Sequence, residues 1–170
     1  MLLYPKKYIN RITEIDLTFL NENNIKGLIL DVDNTLIDIE RNVLEGLEEW
    51  ANKMIDSGII LYIVSNSNKK DKVKKIADQL NIPFIYFATK PLKRGLRKAA
   101  KDMNLSYNNI AVVGDQIFTD VLGANRLKMY SILVEPICEK DFLITRMNRK
   151  FESIVKKKIV KKWVWGTDVF

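Results

Sequence analysis

Short apolar runs alternate along this chain with longer stretches whose apolar positions recur every three to four residues. The first pattern marks strands buried on both faces, the second amphipathic helices. A mixed lead-in with Pro5 near its start predicts a helix around Ile12–Asn21, and Lys26–Asp33 reads as the first strand. Asn42 is placed to cap a helix over Val43–Ser57, with Leu44, Leu47, Ala51, Met54 and Ile55 on one face and Gly58 at its end. Ile59–Val64 is a second strand, and Ser65-Asn66-Ser67-Asn68 a polar turn opening a helix that runs to Leu80. Phe84–Phe87 lies as a third strand between Pro83 and Pro91; Pro91 suits the first turn of a basic helix ending near Met103. Ile110–Val113 is a fourth strand, Thr119–Leu127 a helix and Ser131–Val134 a fifth strand. Phe142, Leu143, Met147, Phe151, Ile154 and Val155 give a last amphipathic helix.

Strands and helices in this alternation predict an α/β fold: a five-stranded parallel sheet with helices on both faces and right-handed crossovers. The 170 residues suit one domain, placed at residues 1–145, followed by a basic tail over 146–170. That tail holds eight basic residues and two acids, a net +6 of the chain's +7. The basic character therefore belongs to the tail and hardly to the domain.

Composition excludes several chemistries. There is no histidine, which removes Ser-His-Asp hydrolases, histidine phosphatases and His-ligated zinc. The one cysteine, Cys138, can form neither an internal disulfide nor a multi-cysteine metal site, and Ile144 stands where a cysteine-phosphatase loop needs arginine. A single cysteine fits a reducing cytoplasm. The longest apolar run, Ile59–Val64, is far too short to span a membrane, and Lys6 and Lys7 follow rather than precede the first apolar residues, unlike a signal peptide.

Whatever acid–base or nucleophilic chemistry occurs must then use carboxylates, Lys, Ser/Thr, Tyr or that one Cys, and polar clusters of this kind fall at strand ends. The first strand ends in Asp31-Val32-Asp33-Asn34-Thr35, the second in Ser65-Asn66-Ser67, and the fourth in Gly114-Asp115 with Asp120 beyond; Thr89-Lys90-Pro91 follows the third. In a parallel sheet these ends share one edge, where open α/β sheets bind ligands. A lone Asp-x-Asp would be a turn cap, but Asp31 and Asp33, on alternate residues of an extended backbone, are expected to face one crevice, and carboxylates set side by side call for a cation. The acids suit Mg²⁺, which takes oxygen ligands. Ser65 with nearby backbone amides suits phosphate oxygens, and a lysine would balance charge on a transferring phosphoryl group. Ser65 also fits a helix N-cap, Asp120 a first-turn acid, and Lys93 is a second candidate for the lysine.

These residues resemble the haloacid dehalogenase (HAD) superfamily of phosphotransferases. Its four motifs occur in order: Asp-x-Asp-x-Thr at Asp31, Asp33 and Thr35, Ser65, Lys90, and Gly-Asp-x-x-x-x-Asp at Gly114, Asp115 and Asp120. The match covers about residues 26–134. More narrowly, Asp-Asn-Thr-Leu, Lys-Pro after the third strand, Gly-Asp-Gln with Thr-Asp-Val-x-Gly-Ala-Asn, and the Tyr4-Pro5 lead-in are similar to the subfamily IIIA phosphatases of YqeG type. The resemblance implies that Asp31 is the nucleophile and forms an aspartyl-phosphate, and that Asp33 is the acid and base. It further implies that Asp31, Asp115 and the backbone carbonyl of Asp33 hold Mg²⁺. Ser65 and the backbone at Asn66 would bind phosphate, Lys90 would pair with nucleophile and phosphoryl group, Asp120 would support Lys90 or the metal, and Thr35 would brace the loop. Gln116 stands where many members place a second acid, which puts more weight on Asp115.

Only about eight residues separate Thr35 from the next helix, and fewer separate Phe87 from Pro91, so no cap domain is expected. An open site suits a large or surface-held substrate. The tail's lysines, Lys156–Lys158, Lys161 and Lys162, interleave with Trp163 and Trp165 and suit an anionic bilayer. Packing on the domain and binding RNA are the competing uses. The resemblance to the YqeG type includes mitochondrial relatives acting on phosphatidylglycerophosphate, and it implies that lipid as the favoured substrate, with the protein peripheral at the inner face of a membrane. The alternatives are a phosphatase for a soluble or nucleic-acid-end phosphate, and a binding module working with the ribosome on the same scaffold.

Overall fold

A computed structural model describes residues 2–138. The predicted helix over 142–155, the boundary at 145 and the basic tail lie outside the described residues. The strands are β1 (Lys7–Ile9), β2 (Gly27–Leu30), β3 (Ile60–Val64), β4 (Phe84–Ile85), β5 (Ile110–Gly114) and β6 (Tyr130–Val134). The helices are α1 (Leu17–Glu22), α2 (Leu47–Asp56), α3 (Lys70–Leu80), α4 (Lys93–Asp102) and α5 (Leu122–Arg126). All strand pairings are parallel, in the order β1-β6-β5-β2-β3-β4.

The sheet has six strands where five were expected. The sixth is β1, three half-buried residues of the lead-in that pair with Ile132–Val134 of β6. So short a segment lacks the buried apolar run by which a strand is read from sequence; its partner supplies the reason to extend. The lead-in helix is split into a single turn at Ile12–Glu14 and α1, which Asp16 caps by accepting from the Phe19 amide.

Two cores lie on opposite faces of the sheet, as period-two alternation requires. Leu28, Leu30, Leu61, Ile63, Ala111 and Val113 pack on one face against α2 and α3. Ile29, Tyr62, Val64, Ile110 and Val112 pack on the other against α4 and α5. Leu28, Ile29 and Leu30 are all fully buried, each contributing about 1.5–3 kcal/mol. The buried Trp50 donates its indole N–H to the Ile15 carbonyl at 2.8 Å, tying α2 to the lead-in.

Several boundaries moved. Helix α2 begins at Leu47, not Val43, because Asn42 is taken up in a turn with Asp38 and Ile37 bridges Val43 in a small hairpin. Helix α3 begins at Lys70, five residues beyond Ser65, so Ser65 is not its cap. The Lys90–Pro91 peptide is cis, and Pro91 precedes α4 instead of lying in its first turn. Residues 117–121 form a widened π turn before α5. Between β2 and α2, and between β4 and α4, there are loops and the hairpin but no inserted cap domain. No helix among the described residues is long and apolar enough to cross a membrane.

Candidate active site

From β2 the chain passes to β3 and β4 on one side, then returns through β5 and β6 on the other. The order reverses between β2 and β5, and ligand crevices of open α/β sheets form at such a point. The Asp31 amide donates to the Val113 carbonyl at 2.9 Å, carrying the β2–β5 ladder one step past the strand and setting Asp31 beside the end of β5.

Asp31, Asp115 and Asp120 converge there, each buried, with one carboxylate oxygen apiece within 4.8 Å of the others. Lys90 is buried among them. Its Nζ lies 2.7 Å from Asp31 Oδ1 and 2.6 Å from Asp120 Oδ1. Three carboxylates face one ammonium, and such an excess of buried negative charge is costly without a cation. The donors are all oxygen. The set therefore fits a hard divalent ion.

The electrostatics agree. Burial pushes the Asp31 carboxyl up to about 7 against the pull of Lys90, with Asp120 and Asp33 adding to the rise. Burial alone would lower Lys90, but Asp120 and then Asp31 outweigh it and hold the ammonium above the usual lysine range. Lys90 is thus a fixed positive charge at neutral pH.

Asn66 fixes that lysine from behind. Its Oδ1 accepts from the Lys90 amide at 2.6 Å and its Nδ2 donates to the Lys90 carbonyl at 2.9 Å. The Asn66 side chain is thereby engaged, so a phosphate role falls to its backbone. Ser65 is buried; its hydroxyl accepts from the Ser67 amide at 3.1 Å, and its carbonyl accepts from the Ala88 amide at 2.9 Å. The loops after β3 and β4 are thus laced together, and Ser65 shares one rim with Lys90.

Asp120 is held by its own turn, where Oδ2 accepts from the Gln116 amide at 3.2 Å. Gly114 makes room for it: a Cβ at that position would lie 2.2 Å from Asp120 Oδ2. Of the two uses open to Asp120, support of Lys90 is the one its 2.6 Å ion pair displays. Lys93 opens α4 and makes no ion pair with these acids.

Asp33 departs from the expectation that alternate residues face the same way. Its side chain, 44% exposed, leaves the acid cluster and meets Lys72 Nζ of α3 at 2.5 Å. The strand stops at Leu30, and the chain turns: the Val32 carbonyl accepts from Thr35, Leu36 and Ile37 amides, while Asn34 adopts φ 58°. Thr35 braces this turn through its backbone, and its buried hydroxyl has no hydrogen-bond partner. Sequence reading missed Lys72 as well as the Asn66 clamp. Lys72 is one of five lysines in residues 69–75, and nothing in their spacing singles it out.

Comparison with known proteins places the chain in a family. Residues 1–138 match the family described as mitochondrial PGP phosphatase. A Bacillus subtilis (strain 168) protein named "Probable phosphatase YqeG" is 40% identical over 159 residues, covering 93% of this chain and 92% of that protein. The mitochondrial phosphatidylglycerophosphatase GEP4 of Saccharomyces cerevisiae is 28% identical over 134 residues, 70% of this chain and 71% of its own. Among solved structures, an uncharacterized protein from Listeria monocytogenes serotype 4b superposes with a TM-score of 0.57 at 17% identity, over 70% of this chain and 84% of that one. A protein of Streptomyces avermitilis MA-4680 assigned to the HAD hydrolases gives 0.54 at 19%, over 69% and 75%. These structural likenesses show the fold alone. Four strand ends carrying Asp31, Ser65, Lys90 and Asp115 to one edge and the match over residues 1–138 lead to one conclusion: the chain belongs to the mitochondrial PGP phosphatase family and is a phosphatase of YqeG type.

Proposed function

We propose that this phosphatase hydrolyses a phosphomonoester through an aspartyl-phosphate on Asp31, that its metal is Mg²⁺, and that its substrate is phosphatidylglycerophosphate at a membrane surface. The observation that carries the chemistry is the Lys90 ammonium, buried between Asp31 and Asp120 at the switch point of the sheet.

In the first step an Asp31 oxygen attacks phosphorus, the ester P–O bond breaks, and Asp33 gives its proton to the departing alkoxide. In the second, Asp33 takes a proton from water, whose oxygen attacks phosphorus; the Asp31–phosphorus bond breaks and inorganic phosphate leaves. Asp33 suits the proton work because it is half open to solvent while Asp31 is buried. Lys90 shields the nucleophile's charge and meets the phosphoryl oxygens together with Ser65 and the Asn66 backbone. Asp31, Asp115 and the Asp33 carbonyl would hold Mg²⁺, with Asp120 at their side; the ion supplies charge neutralisation and a template for the phosphate.

For the substrate, support comes from the family and from the names of the Saccharomyces cerevisiae relative and of a chloroplastic/mitochondrial phosphatidylglycerophosphate phosphatase of Arabidopsis thaliana. The latter is 24% identical over 179 residues, and this chain spans half its length. The rim of the site adds a physical reason. Phe87 is 62% exposed and Leu92 57%, with Tyr86 beside them under Lys70. The Phe87 amide donates to the Ser67 carbonyl at 2.8 Å, which places this apolar loop at the mouth of the site. Aromatic and basic residues together favour an anionic headgroup layer.

The test is a panel of phosphatidylglycerophosphate vesicles, nucleotides, sugar phosphates and RNA with phosphorylated ends, each with and without Mg²⁺. Metal-dependent release of phosphate from the lipid is expected, and Asp31→Asn abolishes it. Turnover confined to a soluble or RNA-end phosphate overturns the substrate, and turnover undiminished in Asp31→Asn overturns the mechanism.

A further inference from the structure

Asp33 is fixed at its backbone and held at its side chain by one partner. The backbone bridges Ile37, and the neighbouring Asn34 amide donates to the Ile37 carbonyl at 2.8 Å. The carboxylate, withdrawn from the acid cluster, accepts from Lys72 Nζ at 2.5 Å through Oδ1, and Oδ2 makes no ion pair or hydrogen bond among the described residues.

Lys72 stands apart from its neighbours. Of the five lysines in residues 69–75 it alone is drawn in from solvent, its side chain 13% exposed against 44% for Asp33. Lys70 lies over the Tyr86 ring and Lys74 pairs with Asp78 on its own helix. Helix α3 gives Lys72 a firm base, because the adjoining Val73, with Ile76, Ala77 and Leu80, is buried in the core. An isolated ion pair with a half-exposed partner adds little to stability. What this one does is fix where the carboxylate stands.

The second half of the reaction needs it there. In the first half Asp33 gives up a proton and becomes a carboxylate beside a phosphorylated Asp31, and the two negative groups repel. A base for the attacking water must also stand farther from Asp31 than the phosphorus does, with the water between. A carboxylate drawn towards α3 leaves that room. We propose that Lys72 is the positioning residue for Asp33 in hydrolysis of the aspartyl-phosphate: its ammonium holds Oδ1 against the repulsion and leaves Oδ2 to the water. Oδ2 then takes a proton from the water, the water oxygen bonds to phosphorus, and the Asp31–phosphorus bond breaks with its electron pair returning to the Asp31 carboxylate. Inorganic phosphate leaves, and Asp33 is again protonated for the next turnover. This rests on the roles given to Asp31 and Asp33 above.

The substrate 4-nitrophenyl phosphate separates the two halves, because nitrophenolate leaves without a proton from Asp33 and its release is seen directly. With Mg²⁺, stopped-flow and steady-state rates are compared for the wild type, Lys72→Met and Lys72→Arg. Lys72→Met is expected to lower kcat about tenfold to a hundredfold, with KM falling in step so that kcat/KM changes little. It should also show a burst of nitrophenolate approaching the enzyme concentration, and acid quench should trap phosphate on the protein. Lys72→Arg should restore most of kcat. In an Asp33→Asn background Lys72→Met should slow breakdown of the phosphoenzyme no further, since it acts through Asp33. The burst counts competent sites, so a partly unfolded variant does not mimic this pattern. Loss of kcat and kcat/KM together without a burst, an unchanged kcat, or a further loss in the Asp33→Asn background overturns the role of Lys72 and leaves the phosphatase reading intact. A burst that survives in Asp31→Asn overturns the nucleophile itself, and a wild type that releases no nitrophenolate overturns both.

Discussion

Lys90 Nζ stands 2.7 Å from Asp31 Oδ1 and 2.6 Å from Asp120 Oδ1, so one buried ammonium joins the residue proposed as nucleophile to an acid 89 positions later in the chain. Removing it would strand two buried carboxylates. Lys90→Met should cost about 3–5 kcal/mol in metal-free protein, the usual toll of breaking a buried pair, and abolish turnover. Added Mg²⁺ should recover more melting temperature in this variant than in the wild type, because the ion then carries all the neutralisation. Calorimetry with and without Mg²⁺ measures both.

Asp120→Asn keeps the shape of the turn but takes one charge from Lys90. Turnover should fall about tenfold to a hundredfold, within the range a lost charge-assisted contact explains, while the fold persists. Steady-state kinetics beside a circular dichroism melt would show it; unchanged kcat would remove Asp120 from the machinery.

The pH dependence of stability has a definite sign. Asp31 rises from 3.8 to about 7 on folding, chiefly through burial. Between those values the folded chain binds a proton that the unfolded chain does not, so this residue's contribution to stability falls as pH rises through the window. In EDTA, the melting temperature of the wild type should therefore drop more steeply from about pH 5 to about pH 7.5 than that of Asp31→Asn. Saturating Mg²⁺ should flatten or reverse the wild-type slope, since the ion takes the place of the proton. Parallel slopes for the two proteins in EDTA would contradict the burial of an ionisable Asp31.

Gly114→Ala tests the close approach at the end of β5. The added Cβ would fall 2.2 Å from Asp120 Oδ2, and backbone on one side and the π turn on the other restrict any retreat. Overpacking of this kind costs about 1–3 kcal/mol, and displacement of Asp120 should also weaken Mg²⁺-dependent stabilisation. Thermal melts titrated with Mg²⁺ read both effects.

The apolar loop at the rim is measurable separately from the chemistry. Phe87→Ser touches no core, since Phe87 is 62% exposed. It should lower cosedimentation with anionic vesicles severalfold and leave hydrolysis of a soluble phosphomonoester unchanged. Equal loss on both substrates would tie Phe87 to folding or chemistry instead.

What the sequence determined by itself is the order of elements and the identity of the polar residues at their ends. Ile29, Tyr62 and Val112 alternate with Leu28, Leu61 and Val113 in a way only a sheet covered on both faces accommodates, and a parallel sheet brings its strand ends to one edge. Asp31, Ser65, Lys90 and Asp115 were legible for that reason. Tertiary structure decided everything that depends on a partner distant in the chain. Strand β1 exists because β6 offers it a ladder, Lys90 rather than Lys93 meets the acids, with its backbone clamped by the Asn66 side chain, and Gly114 leaves the room that Asp120 fills. Asp33 was expected to face with Asp31; it turns instead to Lys72 because the strand ends one residue before Asp31 and the chain folds back on Val32. Periodicity is a local property and survives in one dimension, whereas the choice among several nearby lysines is made by packing and charge in three.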